Sequence, residues 1–311
     1  MSAEGGARAI IAALLANAGI AAAKFVGFLV TGASSLLAEA VHSLADTANQ
    51  ALLLLGRRTS RRRATPEHPF GYGRDRYFYS FVVALLLFTL GSVFAVYEGI
   101  EKITHPHPLT TPVVGVAILL VATILEGFSF RTAVRESAPL KGSASWLRFL
   151  RQARAPELPV VLLEDTGALV GLLFALLGVV LSLVTGDPLW DGVGTVAIGA
   201  LLGAIALFLI VEMKSLLIGE GATPEELHTI VTALEAGRVE RVIHIRTQYL
   251  GPDELLVAAK IALVSELPLA EVAQAIDDAE LRVRGKVPAA RLIYLEPDLD
   301  RSTAERSVPA D

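Results

Sequence analysis

Twenty consecutive residues, Gly192 to Val211, carry no charge, and they lie within an apolar run reading from about Leu189 to Ile218. A helix of about 20 apolar residues crosses the hydrocarbon of a bilayer. In lipid every backbone N–H and C=O must be satisfied internally, so such a run has almost no choice but to be helical. Five more stretches read the same way: about Arg8–Thr31, Ser35–Gly56, Tyr77–Ile100, Pro112–Ala133 and Leu158–Thr185. The expectation is a mainly α membrane protein with six transmembrane helices. Composition agrees: 53% of the 311 residues are hydrophobic and 19% charged, too apolar for an ordinary soluble domain.

Loop charge sets the orientation. Arg57, Arg58, Arg61, Arg62, Arg63, Arg74 and Arg76 lie between the second and third stretches. Arg131, Arg135, Lys141, Arg148, Arg151 and Arg154 lie around the loop between the fourth and fifth. The intervening loops are nearly free of Lys and Arg, with Lys102 alone between the third and fourth. Basic loops stay on the cytoplasmic side, which puts both termini in the cytoplasm. The same alternation argues against nucleic-acid binding as the reason for the arginines. The first residues lack a basic segment followed by a small-residue cleavage site, so no cleavable signal peptide is expected. High Ala and Arg content and short loops lean toward a bacterial inner membrane. Cysteine is absent, so a metal would have to use His, carboxylate or backbone oxygen.

After Gly219 the composition changes. Thr223-Pro224-Glu225-Glu226 reads as a capping box with Pro at the first helical position, and a helix to about Ala236 follows. Val242–Tyr249 and Leu255–Val264 read as strands joined by a turn at Gly251-Pro252-Asp253. Val272, Ile276, Ala279 and Val283 share one helical face, and Arg291–Glu296 reads as a last strand. The division is a six-helix transmembrane domain over 1–219, a small cytoplasmic α+β domain of order α-β-β-α-β over 220–298, and a polar tail over 299–311, expected to be mobile.

The second stretch is long enough to cross a bilayer yet carries Glu39, His42 and Asp46. His42 and Asp46 are four apart and so share a helical face, with Glu39 close to it. An ionisable side chain at mid-membrane costs roughly 2.5–3.5 kcal/mol on insertion scales. Two things offset that cost: gripping a divalent metal or protons, or a His–Asp pair that joins helices. The fifth stretch contains Glu164 and Asp165, adjacent and therefore about 100° apart around a helix. Asp165 is expected to face His42 and Asp46, with Glu164 reaching the same cavity, binding a proton or pairing elsewhere; the alternative is that the helix starts later and both acids sit in the interface. Glu126, midway along the fourth stretch, either lines the same path or bonds across helices as a neutral acid. Asp191 opens the sixth, where a capping role fits. His68, in the loop before the third stretch, could hold a cytoplasmic metal, though a lone loop His is more often surface. His105 and His107 read as a solvated turn, and His228 and His244 as surface positions of the soluble domain.

These features together resemble the cation diffusion facilitators. The resemblance is carried by six spans, His42-x-x-x-Asp46, an acidic fifth span, His68-Pro69-Phe70-Gly71-Tyr72-Gly73-Arg74 and the α-β-β-α-β tail. Glu39-Ala40-Val41-His42-Ser43-Leu44-Ala45-Asp46-Thr47, Leu162-Leu163-Glu164-Asp165-Thr166 and Lys214-Ser215-Leu216-Leu217-Ile218-Gly219 look like its zinc transporter 9-like branch. The resemblance implies a homodimer, joined through membrane helices and cytoplasmic domain, that exports Zn²⁺ from the cytoplasm in exchange for protons. Mn²⁺, Fe²⁺ and Co²⁺ are the alternatives. It implies no bound cofactor and no enzymatic activity, and the chain shows neither a nucleophile motif nor H-E-x-x-H. Two ligands are implied from the second span and two from the fifth, four residues apart. His42, Asp46 and Asp165 match; Val161 stands at the fourth position, leaving Glu164, Glu126 or water to complete the set. Tyr72, Ile243, Lys260 and Tyr294 occupy positions where some members carry metal-binding residues, so few or no metals are expected in the soluble domain. Arg74 matches a basic residue that in some members pairs with an acid at the base of the sixth span. Ile218 takes that acid's place, with Glu220 nearby. Val161 also motivates a second reading, a metal-responsive membrane dimer or partner subunit that does not transport.

Overall fold

The computed structural model describes residues 18–264 and 267–298. The start of the first expected span and the expected mobile tail over 299–311 lie outside the described residues. The chain divides into two compact units. One takes the chain up to Arg62 together with Asp75–Lys214; the other takes Arg63–Arg74 and the chain from Ser215.

The first unit is helical. It contains α1 (Ala18–Thr31), α2 (Ser34–Thr59), α3 (Asp75–Thr104), α4 (Pro112–Lys141), α5 (Trp146–Gln152), α6 (Glu157–Thr185) and α7 (Leu189–Ile218). The last turn of α7 lies in the second unit. Four of these helices, α3, α4, α6 and α7, are long and apolar enough to cross a membrane. The 26-residue α2 matches them in length but carries the polar residues of the site. Start and stop signals are local. Pro112 opens α4 behind Thr111, whose backbone is left-handed at φ 48 and ψ 52, and Gly186 ends α6 at φ 72 and ψ 8. α3 departs from the expected regular helix, because Leu87–Val93 forms a π-helical segment. α5 was not expected at all; seven residues between two spans are too few to show a helical period.

Large apolar side chains turn outward around this unit, among them Val113, Ile124, Phe128 and Val184, each more than 60% exposed. Inside, Leu36, Val83, Leu87, Leu119, Leu172, Val179, Ile198 and Leu202 form the core. Lipid removes the hydrophobic drive between helices, so close packing has to hold them together. Small residues supply it where α3 meets α7. A Cβ on Gly199 would lie 2.7 Å from the backbone nitrogen of Val96, and one on Gly99 would lie 2.7 Å from that of Val196.

The second unit contains α8 (Pro224–Leu234), β1 (Val239–Gly251), β2 (Glu254–Leu263), α9 (Leu269–Lys286) and β3 (Leu292–Asp298). The sheet order is β1-β2-β3, with β1 and β2 antiparallel and β2 and β3 parallel through the α9 crossover. The capping box forms as the sequence suggests: Thr223 Oγ1 accepts from Glu226 N at 3.2 Å, and Glu226 Oε2 accepts from Thr223 N at 2.8 Å. Ile230, Leu234, Tyr249, Leu255, Val257, Ile261, Ala279, Val283 and Ile293 fill the core. The glycine motif ahead of α3 packs here too: a Cβ on Gly73 would sit 2.6 Å from the carbonyl oxygen of Leu250.

Candidate functional site

The second helix presents two polar edges. His42, Asp46 and Asn49 follow at intervals of four and three, and Glu39 and Ser43 are four apart. Both edges are withdrawn from the surface: Glu39, His42 and Asn49 are 0% exposed and Ser43 is 3%. The start of α2 is fixed from a distance. Asp191 lies near the start of α7, yet it does not cap its own helix. Its buried carboxylate accepts from Ser34 N at 2.8 Å, Ser34 Oγ at 3.1 Å and Ser35 Oγ at 2.5 Å, with a longer contact to Ser35 N at 3.4 Å. It therefore satisfies the N-terminal donors of the helix that carries His42 and Asp46.

Asp46, Glu126, Glu164 and Asp165 line one chamber, together with Ile20, Ser43, Gln50, Ser129 and Val161. The free space at its centre is about 10 Å³, close to the ~10–15 Å³ that one water molecule needs. Two of these acids have hydrogen-bond donors of their own. Asn49 Nδ2 donates to Glu164 Oε1 at 2.7 Å, and Ser129 Oγ donates to Asp165 Oδ2 at 3.0 Å. Glu164 is buried well inside α6, so the acidic pair does not mark a late helix start.

His42 stands behind Asp46 and is not part of the chamber wall. Its Nε2 lies 3.5 Å from Asp46 Oδ2, too long for a good hydrogen bond. Its Nδ1 faces the π-helical segment of α3, 3.9 Å from where a Cβ on Gly91 would be. Neither ring nitrogen has a hydrogen-bond partner, and neither does Asp46 Oδ1. Buried polar atoms are nearly always paired, because leaving one unpaired costs about 1–3 kcal/mol. Orphaned donor atoms on an imidazole and a neighbouring carboxylate are the chemistry of a metal or proton site. Among the described residues, however, no three of His, Asp and Glu stand close enough together to hold a metal ion. Asp46 and Asp165 share a chamber as expected. The structure does not bring His42, Asp46 and Asp165 into one coordination shell.

Sequence reasoning passed over two residues. Lys24 of α1 is 1% exposed and donates to Glu39 Oε2 at 3.0 Å and Ser43 Oγ at 2.8 Å. Glu126 Oε1 lies 3.9 Å from the same ammonium, so Glu126 faces a lysine as well as the chamber. A signal was present: Lys24 is the only charge between Ala9 and Thr31, and a lone charge in an apolar span is itself a functional marker. Asn49 gave no comparable signal, since its role depends on a residue 115 positions away.

The remaining histidines stay apart. His68 meets the Tyr72 ring edge-on with centroids 4.6 Å apart, and His105 lies 3.8 Å from Glu101 in an exposed pair. His244 accepts from Arg246 Nε at 3.1 Å. In the sheet unit Lys260 pairs with Glu296 at 3.1 Å and Asp298 at 3.2 Å, and these acids raise its ammonium pKa above the ordinary lysine value.

Comparison with known proteins gives three results. The family model described as "Cation efflux transmembrane domain" matches residues 10–218. The proton-coupled zinc antiporter SLC30A9, mitochondrial, of Mus musculus is 34% identical over 242 residues, 76% of this chain and 42% of that protein. Metal tolerance protein C4 of Arabidopsis thaliana is 29% identical over 259 residues, 82% of this chain and 56% of that protein. The chain thus spans about half the length of these curated relatives. Among solved structures, a nickel form of the MamM C-terminal domain is matched over its whole length and 25% of this chain, at 20% identity and a TM-score of 0.24.

Proposed function

The chain belongs to the cation efflux family, and from that premise we propose that it exports a divalent cation, Zn²⁺ first, across a membrane in exchange for protons. One observation carries the reading. A chamber between α2, α4 and α6 gathers Asp46, Glu126, Glu164 and Asp165, with the orphaned nitrogens of His42 behind Asp46. Isolated carboxyls in lipid are expensive, and a metal that exchanges with protons is the cargo that offsets them. The free space suits one dehydrated ion.

In this mechanism Asp46 and Asp165 are the first carboxylates to meet the ion, and Glu164 turns from Asn49 to join them. The His42 ring swings its Nε2 past Asp46 toward the ion as α2 and α6 draw together. Binding needs these groups deprotonated, so uptake releases protons and protonation from the far side drives release. α1 and α2 complete six spans with α3, α4, α6 and α7. The basic loops support both termini in the cytoplasm, and the high Ala and Arg content and short loops support a bacterial inner membrane. The transport domain covers 1–219 and the cytoplasmic domain 220–298, and two copies join through both.

The test is Zn²⁺ flux into liposomes holding the purified protein under an imposed pH gradient. Wild type accumulates Zn²⁺ and Asp46→Ala does not; full accumulation by Asp46→Ala would sink the assignment of this site. Val161 on the chamber wall favours a second reading, a metal-responsive dimer that binds without transport. In the same liposomes it would show Zn²⁺ affinity and no flux.

A further inference from the structure

Five carboxyl groups lie along the middle of α2: Glu39 and Asp46 on it, and Glu126, Glu164 and Asp165 from α4 and α6. Among the described residues one buried ammonium meets them. Lys24 lies 3.0 Å from Glu39 Oε2, 2.8 Å from Ser43 Oγ and 3.9 Å from Glu126 Oε1. It is 1% exposed, so this charge has left water entirely for the sake of these partners. Moving an ammonium out of water costs several kcal/mol, and no packing need in an Ala- and Gly-rich helix calls for a lysine at that point.

The contacts divide the acids into two sets. Glu39 and Glu126 face Lys24. Asp46, Glu164 and Asp165 make no ion pair with it within 4 Å, and Asn49 and Ser129 hold the latter two. Glu126 and Ser43 belong to the chamber wall as well, so the ammonium sits immediately behind that wall.

We propose that Lys24 is a tethered counter-cation that neutralises Glu39, holds Glu126 back from the transported ion and thereby limits how tightly the chamber binds it. This inference rests on the metal-transport reading above. A divalent ion entering the chamber meets the three carboxylates and the imidazole left over, and it feels the fixed positive charge behind Ser43. Four free carboxylates on the chamber wall would hold a divalent cation too firmly to let it go. Lys24 is thus a positioning residue that tunes affinity against release; it does not ligate the ion itself.

Zn²⁺ binding to the purified full chain in detergent, titrated calorimetrically at one pH, provides the test. Lys24→Met keeps the length of the side chain and removes its charge. It is expected to lower the Kd for Zn²⁺ by about tenfold or more, the effect of removing one nearby charge from a low-dielectric site. Lys24→Arg is expected to stay near wild type. Should Lys24→Met fail to fold, Lys24→Met with Glu39→Gln removes the buried pair together and still frees Glu126. Its Kd is then expected below that of wild type, and a Kd equal or higher overturns the proposal. A lysine that merely holds α1 to α2 would lower the melting temperature of Lys24→Met and leave its Kd unchanged, which also overturns it. In liposomes, tighter binding predicts a lower KM and a lower turnover together. Wild-type protein without flux, alongside a tight-binding Lys24→Met, would sink the transport reading and uphold the role of Lys24. Wild-type flux with an unaltered Kd in Lys24→Met would sink the lysine role alone. No saturable Zn²⁺ binding in any of the proteins would overturn both.

Discussion

Removing the Asp191 carboxylate should unfasten the helix that carries the site. Asp191 is 0% exposed and takes three good hydrogen bonds from Ser34 and Ser35, at 2.8, 3.1 and 2.5 Å. In Asp191→Ala the two serine hydroxyls can turn to other acceptors, but Ser34 N–H cannot. That buried donor loses a charged acceptor, worth roughly 1.5–3 kcal/mol. The N-terminal end of α2 also loses a compensating charge, worth up to about 2 kcal/mol in a buried setting. Together these give about 2–5 kcal/mol. Asp191→Asn keeps an oxygen for Ser34 N–H but points an NH₂ at the second serine, so about half of that loss is expected. On the scale of roughly 2–4 °C per kcal/mol for domains of 150–250 residues, Asp191→Ala should melt about 4–20 °C below wild type. The assay is thermal unfolding of the purified protein in detergent, followed by tryptophan fluorescence. The order expected is wild type, then Asn, then Ala. Melting temperatures for both variants within a degree of wild type would refute the claim that this carboxylate caps α2.

Other outcomes follow from the same geometry. Val161→Asp places a carboxylate on the apolar part of the chamber wall and should tighten Zn²⁺ binding about tenfold or more, read by calorimetry; unchanged affinity would separate Val161 from the ion's path. Arg76 donates through Nε and Nη2 to both oxygens of Glu157, at 2.5 and 2.8 Å, a fork that lysine cannot copy, so Arg76→Lys should lower the melting temperature by a few degrees, about 1–2 kcal/mol. Gly199→Leu forces a side chain against the backbone of Val96 and should cost about 1–3 kcal/mol or more, seen as a lower melting temperature and weaker retention of the folded form on size exclusion. Glu296 and Asp298 raise the pKa of Lys260, so its stabilising contribution is whole below the ordinary lysine pKa and is lost as pH rises through the raised folded value. Melts of wild type and Lys260→Met should therefore differ slightly near neutral pH, and the gap should narrow as alkaline pH rises past the ordinary lysine value; a gap that does not narrow with rising pH would contradict the pairing.

Apolar runs and basic loops made the long helices legible, because span length and backbone satisfaction in lipid leave few options. The last span was read at Leu189–Ile218 and folds over those residues. The sheet unit was legible from turn residues and period-two strands, and its capping box from four consecutive residues. The candidate acids announced themselves by being charged where lipid penalises charge. What stayed hidden was the pairing. Asp191 reads as a cap for its own helix, and tertiary structure turns it onto Ser34, 157 residues earlier. Asp165 was expected beside His42, and the fold sets the imidazole behind Asp46, against a π-helical turn that no periodicity announced. Lys24 gave its signal but not its partner. Periodicity tells which residues share one helix face, whereas which faces meet depends on packing among helices far apart in sequence. The chain alone therefore determined that costly charges lie inside a membrane bundle, and only the fold decided which of them balance one another and which line the chamber.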